Sequence, residues 1–377
     1  MRIVCAPDSF KESMTAPEAA AAMARGVRQA APEAECLLMP MADGGEGTTD
    51  ALVATLGGVR REVSARDALG RPIRAAYGLA PDGLAVMEVA SAIGIGLIAP
   101  SERDVMRSDS RGVADLILDA VDAGANRVLV GLGGSATTDG GAGLLAGLGA
   151  KLLDADGEEI APTPDGLTRL ARVDLSGLER RLAGLRIDLA SDVSNPLLGP
   201  LGSAAVFGPQ KGATPAQVPV LDATLARLAD ALVAAGLPEV RDVPGAGAAG
   251  GLGMAFLSLG ARLRPGVDVV AEATGLDQAI AGSDLVLTGE GSLDAQTAAG
   301  KTPAGVLAVA RRHGVPVIAF AGRLGEGSAD LGFAACVRIV EESVELATAL
   351  REGAVNLERA VAAAVGRWLS EEVGDTR

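Results

Sequence analysis

Short apolar runs in this sequence repeatedly end in small residues joined by a carboxylate, a hydroxyl or a lysine. Arg2–Ala6 runs into Pro7-Asp8-Ser9-Phe10-Lys11, and Glu35–Met39 is followed by Met41-Ala42-Asp43-Gly44-Gly45-Glu46-Gly47. Arg127–Gly131 leads into Gly133-Gly134-Ser135-Ala136-Thr137-Thr138-Asp139-Gly140-Gly141, and Leu185–Ala190 into Ser191-Asp192-Val193-Ser194-Asn195-Pro196. Leu285–Thr288 ends in Gly289-Glu290-Gly291-Ser292-Leu293-Asp294, with Lys301 further on. The Gly133–Gly141 segment is the best suited to cradle a phosphate. Its glycines let backbone N–H groups approach an anion, Ser135, Thr137 and Thr138 add hydroxyls, and a following helix N-terminus adds its dipole. The competing reading is a tight turn whose hydroxyls only cap that helix. The carboxylates suit Mg²⁺, which takes oxygen ligands and usually one or two carboxylates beside phosphates and waters. Asp8, Asp43, Glu46, Asp192, Glu290 and Asp294 are candidates, too many for one ion, and each alone also fits a cap or a turn. Lys11 and Lys301, two of only four lysines, would offset phosphate charge or stand solvated on the surface.

These residues need a scaffold that gathers strand ends. Arg2–Ala6 reads as a buried strand, and Thr15-Ala16-Pro17-Glu18 is a capping box that starts a helix running to about Ala30. Glu35–Met39 is a second strand and Thr48–Leu56 a second helix, so the chain opens in the rhythm of a parallel sheet. Arg60–Val63, Ile73–Leu79 and Leu84–Val89, separated by turn signals, predict an antiparallel meander in a different unit. Helix and strand alternate again from Gly112–Asp122 to Leu185–Ala190, and a long helix follows Thr214-Pro215. The last third predicts strands at Leu285–Thr288, Val317–Ala321 and Ala335–Ile339, with helices at Pro303–His313 and Ser343–Leu369. The expected fold is α/β: a parallel-sheet, Rossmann-like domain from residues 1–60 and 280–377, with residues 61–279 inserted as a second mixed α/β domain. In such sheets ligands bind beyond the carboxyl ends of the strands.

Composition removes several classes. The chain has 377 residues, 49% of them hydrophobic and 21% charged, which is globular rather than disordered. Its net charge of −15 argues against nucleic acid or an anionic membrane as partner. The 51 glycines cluster without a three-residue period, which excludes collagen and predicts backbone-built loops. Three dispersed cysteines (Cys5, Cys36, Cys336) read as reduced residues of a cytoplasmic protein, and one histidine leaves no Cys/His zinc site. The N-terminus lacks a signal-peptide pattern, and the uncharged stretch Val243–Ala261 reads as a glycine-rich loop entering a buried helix, not a membrane span.

Three motifs are set aside. Gly245-Ala246-Gly247-Ala248-Ala249-Gly250 fits a dinucleotide fingerprint, but Asp242-Val243-Pro244 precedes it where a hydrophobic strand is required. The AQTAAGKT run, Ala295–Thr302, resembles a P-loop with alanine for its first glycine, yet the expected strand stops at Thr288 and no strand ending in Asp follows. His313 sits at a helix end, where it faces the dipole rather than serving a triad.

Seven segments together are similar to one family. APDSFKES (Ala6–Ser13), PMADGGEGT (Pro40–Thr48), GLGGSATTDGGAG (Gly131–Gly143), SDVSNPLLGP (Ser191–Pro200), FGPQKGAT (Phe207–Thr214), PGAGAAGGLG (Pro244–Gly253) and TGEGSLDAQTAAGKTP (Thr288–Pro303) resemble the type I glycerate kinases. The resemblance spans nearly the whole chain in the expected order. It implies two α/β domains with the active site in the cleft between them, a cytoplasmic setting, and transfer of the γ-phosphoryl group of ATP to D-glycerate with Mg²⁺. No nucleic acid or membrane partner is expected, and the reading leaves room for a homodimer. On these motifs Asp192 is assigned as the base and Lys11 as a catalytic cation, with Asp8, Ser9, Asn195, Glu290 and Asp294 around the substrate. Gly133, Gly134, Ser135, Thr137 and Lys301 are assigned to the nucleotide phosphates, and Asp43 and Glu46 to the metal. The sequence departs from the family at Lys11-Glu12-Ser13 (Lys-Gly-Ser is common), at Ser191-Asp192 (Cys-Asp) and at Ser292-Leu293-Asp294 (a basic residue plus Ile-Asp).

The C3 hydroxyl of glycerate is the less hindered, whereas a cation clamping the carboxylate would also fix the neighbouring C2 hydroxyl; the resemblance decides between them and implies 2-phosphoglycerate as the expected product. Arg66, Arg71, Arg107 and Arg323 lie near loops and offer the bidentate fork for that clamp. The alternatives are 3-phosphoglycerate as product, a non-catalytic sugar-acid-binding protein, and a dehydrogenase using Gly245–Gly250 for its cofactor.

Overall fold

The computed structural model describes residues 1–375 except 46, 179–181, 183, 296, 298–300 and 342. The chain divides into two compact units: Met1–Asp43, Asp50–Gly57 and Val267–Arg377 form the first, and Gly44–Thr49 and Gly58–Gly266 the second. The segment 267–279, carried with the insert in the sequence reading, thus falls in the first unit, and the loop Gly44–Thr49 falls in the second.

The first unit is built on a five-stranded sheet of β1 (Arg2–Cys5), β2 (Glu35–Leu38), β11 (Leu285–Leu293), β12 (Val317–Leu324) and β13 (Ala335–Arg338). Their order is β13-β12-β11-β1-β2, and every neighbouring pair is parallel. Ile3 and Cys5 of β1, Leu285 and Leu287 of β11 and Phe320 of β12 are buried against Met23 and Val27 of the helix Ala16–Ala30 and Leu357, Val361 and Val365 of the helix Gly353–Asp375. The first helix starts where its capping box predicts: Thr15 Oγ1 accepts the Glu18 N–H, and Glu18 returns a carboxylate oxygen to the Thr15 N–H at 2.8 Å. Arg25 and Gln29 both donate to Glu358, each at 2.6 Å, tying the two helices along their exposed edge.

Two elements of this unit differ from expectation. β11 does not stop at Thr288 but continues to Leu293, paired with β12 as far as Leu293↔Leu324. The ladder offered by β12 overrides the breaking tendency of Gly289 and Gly291, so Glu290 and Ser292 are strand residues rather than loop residues. The strand also ends two residues before Ala295, which removes one of the two reasons for setting the AQTAAGKT run aside. The single helix expected over Ser343–Leu369 is two, Leu346–Arg351 and Gly353–Asp375. At the break the Leu350 carbonyl accepts the Ser13 hydroxyl at 2.7 Å.

The second unit carries a mixed six-stranded sheet in the order β10-β9-β6-β5-β4-β3. The predicted meander is present: β3 (Val59–Arg66), β4 (Pro72–Leu79) and β5 (Leu84–Glu88) pair antiparallel. From β5 onward the pairing turns parallel, through β6 (Arg127–Gly131), β9 (Arg186–Ala190) and β10 (Arg262–Arg264). A small antiparallel pair, β7 (Lys151–Leu153) with β8 (Arg172–Asp174), and β10 were not anticipated; each is only three residues long and has no periodicity to read. Tyr77, Met87, Ile93, Leu116 and Ile117 are fully enclosed in its core. The uncharged stretch from Val243 is a loop followed by Ala248–Ser258, which is helical except for a left-handed kink at Ala249, Gly250 and Gly251, and among the described residues no helix is long and apolar enough to cross a membrane.

Candidate functional site

In the first unit the carboxyl ends of β1 and β11 gather charged groups. Asp8 follows β1; its Oδ1 accepts the Ser9 N–H at 2.6 Å and its Oδ2 accepts the Thr302 hydroxyl, which opens the helix Thr302–Arg312. Burial, reinforced by the like charge of Asp43, pushes the Asp8 carboxyl up to about 7, with the Thr302 and Ser9 hydrogen bonds pulling the other way. Glu290 on β11 accepts the Thr297 hydroxyl at 2.9 Å and faces Lys301 Nζ at 3.6 Å. Burial raises its pKa while Lys301 and Thr297 oppose the rise. The Asp294 N–H donates to the same Thr297 hydroxyl at 3.2 Å. Asp8, Ser9, Asp43, Glu290, Asp294 and Lys301 are therefore brought together here, and Thr297 and Thr302 join them.

Lys11 stands at the exposed tip of a tight turn in which Phe10 and Met14 exchange backbone bonds, the Phe10 N–H reaching the Met14 carbonyl at 2.9 Å. Glu12 in this turn holds φ 63, one of two non-glycine residues on the left-handed side among the described residues. That conformation costs an L-residue about 1–2 kcal/mol, and it accounts physically for the glycine common at this position of the family motif. Glu46, the second metal candidate, lies outside the described residues.

In the second unit two loops leave the neighbouring parallel strands β6 and β9 at the same edge. Between them lies the Gly44-Gly45 segment. A Cβ on Gly44 would stand 2.7 Å from the Ala190 Cβ, and one on Gly131 would stand 2.4 Å from the Gly44 carbonyl oxygen. The β6 loop divides by exposure. Gly133 and Gly134 are exposed, whereas Ser135 and Thr137 are buried. Ser135 Oγ accepts Lys211 Nζ at 3.0 Å, and the same ammonium donates to the Thr137 carbonyl at 2.7 Å. The helix dipole expected to help hold a phosphate is already used. Asp139 sits at the start of the helix Ala142–Gly147, accepting the Gly143 N–H at 2.9 Å, the Gly141 N–H at 3.1 Å, and both the N–H and the hydroxyl of Ser110 at 2.8 and 2.7 Å. A carboxylate enclosed this way is a local cap, so any anion at this loop meets the Gly133 and Gly134 amides and not the helix end.

The β9 loop presents Asp192 with its carboxylate exposed, Oδ1 accepting the Gly266 N–H at 3.2 Å. Asn195, half-buried, is engaged within its own loop, its amide donating to the Leu201 carbonyl at 2.8 Å. Beneath both loops runs the glycine-rich segment set aside as a dinucleotide fingerprint. A Cβ on Gly247 would stand 2.3 Å from the Pro196 carbonyl oxygen, and one on Gly250 would stand 1.9 Å from that of Thr137. Its glycines are spacers that let a third backbone pack under the β6 and β9 loops.

Sequence reasoning missed Lys211, Thr302, Thr297 and Glu88, whose Oε1 accepts the Thr49 N–H at 2.9 Å. Lys211 was visible only as a member of FGPQKGAT; its burial, with 3% of its surface exposed, had no signal in the sequence. Of the arginines offered for carboxylate capture, Arg66 is engaged by Asp115 at 2.7 Å and Arg71 by Asp67 at 2.6 Å. His313 ends its helix beside Asp277, Nε2 to Oδ1 at 3.1 Å.

The model of the glycerate kinase family matches residues 3–370 of the chain. The chain is 45% identical over 364 residues to a glycerate kinase of Bacillus subtilis (strain 168), covering 95% of each. It is likewise 45% identical over 326 residues to the glycerate 2-kinase of Escherichia coli (strain K12), covering 86% of each. A solved structure from Salmonella typhimurium LT2, assigned as a glycerate kinase 2, superposes over the full length of both chains with a TM-score of 0.91 at 42% identity. These likenesses extend from end to end and take in every loop described above: the chain belongs to the glycerate kinase family and is an enzyme of the kinase class.

Proposed function

We propose that the enzyme transfers the γ-phosphoryl group of ATP to the C2 hydroxyl of D-glycerate, giving 2-phosphoglycerate and ADP. The observation that carries this reading is the pairing, at one edge of the second unit's sheet, of an exposed two-glycine turn with an exposed carboxylate. Phosphoryl transfer asks little covalent chemistry of the protein; it asks for in-line positioning and charge stabilisation. The amides of Gly133 and Gly134 contact phosphate oxygens, with Ser135 and Thr137 holding the turn from below. Asp192 accepts the proton of the attacking hydroxyl as the new O–P bond forms and the bond to ADP breaks. In the first unit, Lys11 and Lys301 are the cations we assign to phosphate charge and Asp8, Ser9, Glu290 and Asp294 the groups we assign to the acceptor; in the second unit, Asn195 is the acceptor group assigned.

Mg²⁺ fits the residues present. Asp43 lies near enough to Asp8 to raise its pKa, and two hard-oxygen groups repelling each other are what a divalent cation relieves. Asp43, with Glu46, would hold the ion, which when bound neutralises phosphate charge. The choice of C2 rests on the proximity of that hydroxyl to the glycerate carboxylate and on the name of the 45%-identical E. coli relative, a glycerate 2-kinase; transfer to C3 is the competing outcome. An ADP-release assay tests the reaction. Release is expected only with both D-glycerate and ATP, and its loss in EDTA should be restored by Mg²⁺. Release that ignores D-glycerate, or persists in EDTA, would contradict the reading.

A further inference from the structure

A lysine ammonium buried without a carboxylate is costly, because burial in low dielectric penalises the charged form. Lys211 is in that position. It closes the short turn Pro209–Lys211 after the helix Ser203–Phe207, and only 3% of its surface is exposed. Among the described residues no carboxylate forms an ion pair with it. Its hydrogen bonds go to Ser135 Oγ and the Thr137 carbonyl, both in the loop that exposes Gly133 and Gly134.

We infer that Lys211 is a positioning residue for phosphate binding: it fixes the Gly133–Ser135 turn from beneath and lends the turn a buried positive field that draws an anion onto its amides. The inference rests on the reading of that turn as a phosphate contact. A charge acting through protein is screened far less than one acting through water, so an ammonium under the turn attracts an anion above it more strongly than a surface lysine does.

The surroundings keep that field from being cancelled. Asp139, on the same loop, is the one acid that pulls the Lys211 pKa upward, but its oxygens are taken by Ser110, Gly141 and Gly143. Behind it Asp109 pairs with Arg111 at 2.7 Å, so those two charges offset each other. Arg103 approaches from the segment before them, donating to the Gln210 carbonyl at 3.1 Å. The helices Ser203–Phe207 and Ala248–Ser258 contribute no ionisable side chain. Burial lowers the Lys211 pKa to about 7, with Asp139 working against the shift.

A neutral lysine still donates both hydrogen bonds, so pH removes the field while leaving the contacts. An anion on the turn favours the charged form, and binding above pH 7 must therefore take up a proton.

The test compares the wild type with Lys211→Arg, Lys211→Met and Gly133→Asp. Affinity for a non-hydrolysable ATP analogue with Mg²⁺ is measured by calorimetry from pH 6.5 to 8.5, in buffers of different ionisation heat. The ratio of wild-type to Lys211→Arg affinity cancels the nucleotide's own titration, and it should fall about tenfold across that range, with more proton uptake in the wild type than in Lys211→Arg. Lys211→Met should raise KM for ATP about tenfold or more with a smaller change in kcat. A constant ratio with no difference in proton uptake overturns the inference even if Lys211→Met fails to fold. Gly133→Asp places a carboxylate on the exposed turn and should weaken nucleotide binding. If it binds as the wild type does, the phosphate reading of the turn fails and takes the inference with it; if it weakens binding while the ratio stays flat, only the role of Lys211 fails.

Discussion

Asp192→Asn is expected to cut turnover by more than about tenfold, and by ~10²–10⁴ if proton removal limits the rate. The asparagine oxygen can still accept the Gly266 N–H that Asp192 Oδ1 accepts at 3.2 Å, so the loop keeps its anchor and the melting temperature should stay within a few degrees. What the variant loses is the ability to take a proton. KM for ATP should change little, because no phosphate contact is removed. Near-normal turnover with D-glycerate would take Asp192 out of the base role.

Gly250→Ala is expected to be the most damaging single methyl in the chain. Gly250 holds φ 75, and its Cβ would stand 1.9 Å from the Thr137 carbonyl oxygen, which is also the acceptor of Lys211. Backbone faces backbone here, so no side chain can turn aside. Left-handed strain and overpacking together give a loss of about 3–5 kcal/mol, readable as a shifted urea midpoint. Relief by displacing Thr137 would move the Gly133–Gly134 turn, and KM for ATP should rise in whatever fraction stays folded. A midpoint within experimental error of the wild type would show that the segment yields easily and does not support the loop as described.

The sequence carried the elements whose ends are marked chemically. Thr15 and Glu18 announced a helix that begins with that capping box, and the turn signals around β3, β4 and β5 announced the meander. Strand ends bearing Asp8, Asp43, Gly133 and Asp192 were legible because small and charged residues rarely follow apolar runs without reason. What stayed hidden depended on partners distant in the chain. Gly289 and Gly291 read as breakers, yet β12 supplies a ladder that carries β11 through both. Ser135 and Thr137 read as phosphate donors by type, while both are buried, and Lys211, more than seventy residues away, takes the Ser135 hydroxyl and the Thr137 carbonyl. Nothing between Gln210 and Gly212 marks Lys211 as buried, and Gly245–Gly250 imitated a cofactor motif because close packing and phosphate approach both require a missing Cβ. The arginines near loops were countable, but Asp115, which engages Arg66, comes from the distant helix Arg111–Asp122, and Asp67, which engages Arg71 within one turn, is buried with no sequence signal that it would be.

The central claim is the identity of the bond that forms, and an enolase-coupled assay reads it directly. The purified enzyme is given ATP, Mg²⁺ and D-glycerate with excess enolase, and phosphoenolpyruvate is followed by its absorbance. Enolase dehydrates 2-phosphoglycerate and not the 3-isomer. Absorbance is expected to rise at once, at the rate of ADP release, with no further addition. Absorbance that appears only after a phosphoglycerate mutase is added would mean that the C3 hydroxyl is the acceptor, and would contradict that claim.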